Sequence, residues 1–293
     1  MTKLKQIDFY AFYHDRWGKR WQDLYEALFI KEKQVLFSPF FEMEKQDEQD
    51  KIEWLPSCLW WTEKRQHWPF LRNEQGLLQF YVMDPASVLV ARALTPQDGD
   101  KILDMCAAPG GKTLVLAQAL GGQSSLHSNE PSLARRERLK KVIRQYVPLT
   151  LRHQIFIKGK DGLQYGHLVQ TFYDRILVDA PCSGERHLLA DKTELRNWKP
   201  SRIRFLAKKQ YALLASGLQA GKAGSRLVYS TCTLNDEEND RIIQRLLKRK
   251  GDQVRVVNLP SPSPLAEKTD YGWIHLPDRC GFGPLYFSLL EKV

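Results

Sequence analysis

Residues 101–113, KILDMCAAPGGKT, constrain this chain more than any other stretch. They open with an apolar run carrying one acid, Asp104. Small and turn-forming residues follow, Cys106-Ala107-Ala108-Pro109-Gly110-Gly111. Lys112 and Thr113 then lead into LVLAQAL at helical spacing. A strand, a tight loop and a helix start put backbone N–H groups and the positive end of a helix in front of a ligand. In an open α/β sheet, nucleotide-like ligands sit at such loops. The ending Gly111-Lys112-Thr113 imitates a phosphate-binding loop, but that motif needs glycine where this chain has Cys106. The dinucleotide pattern G-x-G-x-x-G is also absent. A compact adenosine ligand without a triphosphate fits better, and it requires an acid after the next strand to accept ribose hydroxyls. The next strand candidate is Ser125–Asn129, and Glu130 follows at once. A plain strand–turn–helix without a ligand is the competing reading.

The pattern around this loop alternates. Residues 77–83 read as a strand, and Asp84-Pro85 as the cap and first turn of a helix. Residues 131–147 read as a basic amphipathic helix, 154–161 as a strand ending in Asp161, and 176–178 as an apolar strand running into Asp179 and a Pro-Cys turn. A long helix over 200–221 precedes a strand over 225–233. A helix over 235–250 carries acids first and bases last, matching its dipole. Strands over 253–259 and 283–292 close the chain. Strands alternating with helices predict an α/β domain over 77–293. Residues 1–76 differ, holding six of the eight tryptophans. They predict a small, mainly helical, aromatic-rich domain, with its first helix broken at Gly18 and the charged run 42–53 as a solvated loop.

The formal charge of +10 over 293 residues points to an anionic partner, nucleic acid first. Arg16, Lys19, Arg20, Lys64, Arg65 and Arg72 interleave with the N-terminal aromatics, a mixture suited to single-stranded RNA. The opposing reading makes most of those aromatics core. The five cysteines form no C-x-x-C pair, so no metal site and no disulfide framework is expected, and reduced thiols suggest a cytoplasmic setting. No 18-residue apolar run is present, so no membrane span is expected. The first residues lack a signal-peptide apolar block and include Asp8 and Asp15.

Two cysteines fall just past predicted strands, where α/β sheets place their active sites. Cys182 lies in DAPCSG, three residues after Asp179, and Cys232 lies in YSTCT. Cys58, Cys106 and Cys280 read as structural thiols. A thiolate can attack an electron-poor ring carbon covalently, and pyrimidine C6 is one. Attack there makes C5 nucleophilic toward a sulfonium methyl donor. Completion then removes the C5 proton and eliminates the thiolate, which suits a second acid/base group. Asp179 is placed to hydrogen-bond the cytosine edge.

The chain resembles the Sun-type RNA (cytosine-5) methyltransferases. The matching segments are MDPASVLVARAL, DMCAAPGGKT, NEPSLARRERL, VDAPCSGERH, YSTCTLNDEEND and GPLYFSLLEK, in the family's order across residues 77–292. The resemblance implies an S-adenosylmethionine-dependent, Rossmann-like sheet with helices on both faces and a reversed last strand. It implies that Cys232 is the nucleophile and that Cys182 assists product release. It implies that the loop from Cys106 to Lys112 (Cys106, Ala107, Ala108, Pro109, Gly110, Gly111, Lys112) holds the methionine part of the cofactor. Glu130 would bind the ribose with support from Arg135, Asp161 would lie by the adenine, and Asp179 with Lys112 would face the cytosine. One departure stands out. Glu185-Arg186-His187 follows Ser183-Gly184 where many members carry another glycine. This and the GPLYF ending look like the branch with the mitochondrial ribosomal-RNA and transfer-RNA enzymes.

The expected partner is structured RNA, ribosomal ahead of transfer RNA, with no membrane and a monomeric chain. The sequence does not imply a protein partner. No further RNA-binding domain is expected after the last strand, so RNA choice would rest on the N-terminal part, the catalytic face or a partner. Three other readings stay open. A DNA cytosine methyltransferase would use Cys182 as nucleophile. A nucleotide hydrolase would use ILVD as a magnesium-binding strand. A non-catalytic RNA-binding assembly factor would keep only the cofactor pocket.

Overall fold

The Asp8 carboxylate accepts the N–H of Ala11 at 2.7 Å, and the chain coils from Phe9 to Trp17. Gly18, at φ +55°, ends this helix, and a second one runs over Trp21–Ala27. The break expected at Gly18 is therefore where the backbone needs the left-handed region. The computed structural model describes residues 8–41 and 51–293, so most of the charged run over 42–53 lies outside the described residues.

Three short strands, β1 (Val35–Phe37), β2 (Cys58–Trp60) and β3 (Tyr81–Met83), form an antiparallel sheet with β1 in the middle. This sheet joins chain from both sides of residue 76. Only the last three residues of the strand expected over 77–83 pair in it, because Leu78 turns aside to donate its N–H to the Gln145 carbonyl at 2.8 Å. Runs of two or three residues are too short to carry a period, which is why β1 and β2 leave no trace in the sequence pattern.

The main sheet holds the site. Strands β4 (Lys101–Asp104), β5 (Ser125–Asn129), β6 (Ile155–Lys158), β7 (Tyr173–Asp179) and β8 (Gly221–Thr231) run parallel in the order β6-β5-β4-β7-β8. The chain winds outward from β4 in one direction, then returns to its other side through β7. The crevice at the carboxyl ends of β4 and β7 is thus a topological switch point. After β9 (Val254–Val256), β10 (Glu267–Lys268) and β11 (Trp273–His275), the last strand β12 (Leu285–Lys292) pairs antiparallel with β8. The reversed last strand is present.

Successive strand residues face opposite sides. Ile102, Leu177, Val228 and Phe287 join one core with the helices Pro85–Arg92, Gly111–Ala117 and Leu133–Tyr146. Leu103, Ile176, Val178, Leu227 and Tyr286 join the other with the helices Pro200–Ala220 and Asp240–Lys250. The N-terminal segment belongs to both. Phe9, Phe12, Tyr13, Trp21 and Leu24 lie in the second core, where Phe9 and Phe12 meet Trp198 edge-on at 5.3 and 5.1 Å. Val35, Phe37 and Cys58 lie in the first. These aromatics are core, and Arg20, one of the interleaved cations, forks onto Glu267 at 2.6 Å and Asp278 at 2.7 Å. The helix expected over 235–250 is split. A short turn over Asp236–Glu238 comes first, and Asn239 leaves helical geometry at φ −108°, ψ −110° because its amide donates to the Thr233 carbonyl at 3.0 Å.

Candidate active site

At the end of β4 the Thr113 hydroxyl donates to Asp104 Oδ2 at 2.7 Å and closes the glycine loop on itself. Gly110 sits at φ +122°, and a Cβ there would lie 3.0 Å from Val142 Cγ1, so both backbone and space demand glycine. The loop is tied to β5 by Ala107, whose N–H donates to the Asn129 carbonyl at 2.9 Å. Glu130 follows and is buried. Its Oε1 accepts the Ser132 N–H at 2.9 Å, and its Oε2 meets Arg135 Nη1 at 3.1 Å. Arg135 also donates to the Ala108 carbonyl at 2.8 Å, so one guanidinium fastens the acid to the loop. Asp161 caps the turn Gly162–Gln164, accepting the Leu163 N–H at 3.0 Å.

These groups border one cavity of about 780 Å³ that runs on to Asp179 and both candidate cysteines. Of the residues singled out in the sequence, Cys106, Ala108, Lys112, Glu130, Arg135, Asp161, Asp179, Cys182 and Cys232 line it. Ala107, Pro109, Gly110 and Gly111 shape the loop without lining the cavity. The donor set fits S-adenosylmethionine: a carboxylate for a ribose diol at Glu130, a second acid at Asp161, and a side-chain-free turn at Gly110. No cluster of three or more His, Cys, Asp or Glu suited to a metal occurs among the described residues.

At the far end, Lys112 Nζ lies 2.8 Å from Asp179 Oδ2 and 3.1 Å from Ser87 Oγ, while the Ser230 hydroxyl donates to Asp179 Oδ1 at 2.7 Å. Burial alone would lower the Lys112 pKa, but the Asp179 carboxylate opposite raises it above the ordinary value, so Lys112 is a cation. Beneath it, burial pushes Asp104 up to about 7 against the opposing hydrogen bond from Thr113.

The cysteines meet here. Cys232 directly follows β8 and is exposed, whereas Cys182, past the end of β7, is half-buried. The Cys232 N–H donates to Cys182 Sγ at 3.2 Å. Gly184, at φ +58°, comes so close that a Cβ on it would lie 4.0 Å from Cys232 Sγ. Its hydrogen bond with Cys232, then burial, pushes the Cys182 thiol well above its ordinary range. Burial also pushes Cys106 up, so that residue is an apolar thiol in the wall.

Sequence reasoning missed the groups that hold this arrangement. Glu185 is fully buried and spans both cysteine loops. It accepts from Ser183 Oγ at 3.0 Å, beside Cys182, and from Thr233 Oγ1 at 2.5 Å and Leu234 N at 3.0 Å, beside Cys232. Tyr13 of the first helix donates to it at 2.5 Å. Glu238 accepts from Ser183 N at 3.0 Å and Gln210 Nε2 at 2.6 Å, and burial pushes its carboxyl up to about 7. Arg186 reaches the same N-terminal segment, donating to the carbonyls of Leu28 at 2.9 Å and Ile30 at 2.7 Å and pairing with Glu32 at 2.7 Å. The one available signal was the Glu185-Arg186-His187 departure itself.

Residues 91–291 match the family described as 16S rRNA methyltransferase RsmB/F. The chain is 38% identical over 235 residues to the mouse (Mus musculus) 5-cytosine rRNA methyltransferase NSUN4, covering 74% of this chain and 61% of that protein. It is 34% identical to the mitochondrial tRNA (cytosine(34)-C(5))-methyltransferase of Danio rerio, covering 74% of this chain and 62% of that protein. The matched region is therefore less than two thirds of those relatives' length. A methyltransferase homologue from Pyrococcus horikoshii shares the fold with a TM-score of 0.77 at 23% identity, over 97% of this chain and 95% of that one. By these matches the chain belongs to the RsmB/F family of methyltransferases, the Sun-type group that its motifs resemble.

Proposed function

We propose that this protein is an S-adenosylmethionine-dependent RNA (cytosine-5)-methyltransferase acting on ribosomal or transfer RNA, ribosomal RNA being favoured. Family membership supports the reaction class, and the ribosomal-RNA activity in the name of the NSUN4 relative supports the substrate. The observation that carries the reading is the meeting of Cys182 and Cys232 beside Asp179 and Lys112, in one cavity with the glycine loop and Glu130.

Cys232 is the nucleophile because it is the exposed member of the pair. Its thiolate sulfur forms a bond to C6 of the cytosine, and the C5–C6 π electrons move into the ring toward N3 and O2. The Lys112 cation faces that developing charge, and Asp179 accepts a hydrogen bond from the exocyclic amine. S-adenosylmethionine, which the loop, Glu130 and Arg135 would hold, would supply the methyl group to C5, its S–CH3 bond breaking to leave the neutral thioether S-adenosylhomocysteine. Cys182 acts last. Cys182 then releases its proton to water and takes the C5 proton, and the C6–S bond breaks to return the Cys232 thiolate and an aromatic ring.

The test is a trapping experiment. Cys182→Ala is incubated with S-adenosylmethionine and total cellular RNA, then run on a denaturing gel. An RNase-sensitive, slow-migrating band that vanishes in the Cys182→Ala/Cys232→Ala double variant is expected. A band from Cys232→Ala alone would transfer the nucleophile role to Cys182, and bands from neither, with cofactor still bound, would favour a missing substrate or partner, or an RNA-binding scaffold.

A further inference from the structure

The helix Pro200–Ala220 carries an unexplained face. Leu213 and Lys209 line the catalytic cavity, and Arg202 lines it further out. Counting 100° per residue, Arg202, Phe205, Lys209 and Leu213 lie within an arc of roughly 80° and span roughly 16 Å of axis. Phe205 lies between the cavity-lining Arg202 and Lys209, just outside that lining. The Phe205 ring is 67% exposed. Its sequence neighbours are cations, Arg204 and Lys208 as well as Arg202 and Lys209. Among the described residues only Arg202 of these four has an acid partner, Glu194 at 2.8 Å. A lone exposed phenylalanine needs no explanation. One set between two cations that line the catalytic cavity has the composition of a single-strand stacking platform.

We propose that the outer half of this helix seats the RNA strand next to the reacting cytosine. The Phe205 ring stacks on the neighbouring base, and Arg202 and Lys209 hold phosphates on either side. The inference rests on the reading of the substrate as RNA, and it adds where an unpaired strand lies and what grips it. A base turned out of its stack leaves its neighbour with one open face, and a ring just outside the cavity lining fills it. Recognition by stacking tolerates any base, so this face contributes affinity for an unpaired strand rather than choice of sequence.

The experiment measures binding of a fluorescein-labelled single-stranded RNA with one central cytosine by fluorescence anisotropy, across a salt series, alongside S-adenosylmethionine affinity. Phe205→Ala should weaken RNA binding by about fivefold to 150-fold, the range for one stacked base. Phe205→Trp should restore it, and cofactor affinity should not change in either. Arg202→Gln and Lys209→Gln should each lower the salt slope by about 0.7, the value for one single-strand phosphate contact. RNA binding by Phe205→Ala equal to wild type would overturn the proposal, as would a Phe205→Trp variant as weak as Phe205→Ala. A wild-type protein that binds through Phe205 but forms no 5-methylcytosine would sink the proposed activity and leave this face standing. Methylation with the same KM for RNA in wild type and Phe205→Ala would do the reverse.

Discussion

Removing the hydroxyl of Tyr13 should unsettle the catalytic centre from the first helix of the chain. Tyr13 is fully buried, stacked on Trp21 at 5.1 Å, and its hydroxyl donates to Glu185 at 2.5 Å. Tyr13→Phe keeps the ring and its packing. It deletes one donor to a buried carboxylate whose same oxygen also accepts from Ser183 and Thr233. A hydrogen bond to a charged group is worth about 1.5–3 kcal/mol, and the acceptor left behind is out of reach of water. The expected loss is about 2 kcal/mol, or roughly 0.7 M in the urea midpoint at a slope of about 3 kcal/mol/M. Tyr10→Phe is the control, because Tyr10 is exposed and donates to the exposed Gln22 at 2.8 Å; its cost should stay below about 0.5 kcal/mol. Since Glu185 braces both cysteine loops, Tyr13→Phe should also slow methyl transfer while S-adenosylmethionine affinity holds. Equal urea midpoints for the two variants would refute the assignment of Glu185 as the brace.

Further outcomes are expected. Cys232→Ala should abolish 5-methylcytosine formation measured by nucleoside mass spectrometry, and substantial retained activity would reverse the assignment. Lys112→Met leaves Asp179 without its cation and should cut methyl transfer by about a hundredfold; a loss of only a few-fold would detach Lys112 from the chemistry. Arg135→Gln, which frees Glu130 from the loop, should weaken S-adenosylmethionine binding about tenfold by calorimetry, or about 1.4 kcal/mol; unchanged affinity would make that bridge ornamental. Burial holds the Glu238 carboxyl at about 7 against an ordinary 4.5. The folded state therefore keeps a proton that the unfolded chain gives up between those values, and stability should fall as pH rises through that window. Glu238→Gln should flatten the fall in urea midpoint, and an unchanged pH slope would exclude Glu238 as its source.

The sequence was legible wherever the physics is local. A cap at Asp84, a break at Gly18, a glycine loop after an apolar run and an acid after the next strand are each dictated by neighbours a few residues apart, and all stand in the fold. The motifs also located both cysteines and the Lys112–Asp179 pair. What local pattern did not reveal was partnership across the chain. Phe9, Phe12, Tyr13, Trp21 and Phe37 fill the same two cores as the main sheet, and Arg20 is paired with acids some 250 residues away. Glu185 reads as one more charged residue at a helix start until folding brings Tyr13 to it from 172 positions upstream. A buried carboxylate acquires its role from the donors packed around it, and those come from segments whose closeness depends on the whole sheet. Periodicity and spacing carry the elements, whereas the energy of a buried polar network belongs to long-range contacts that no window of sequence contains.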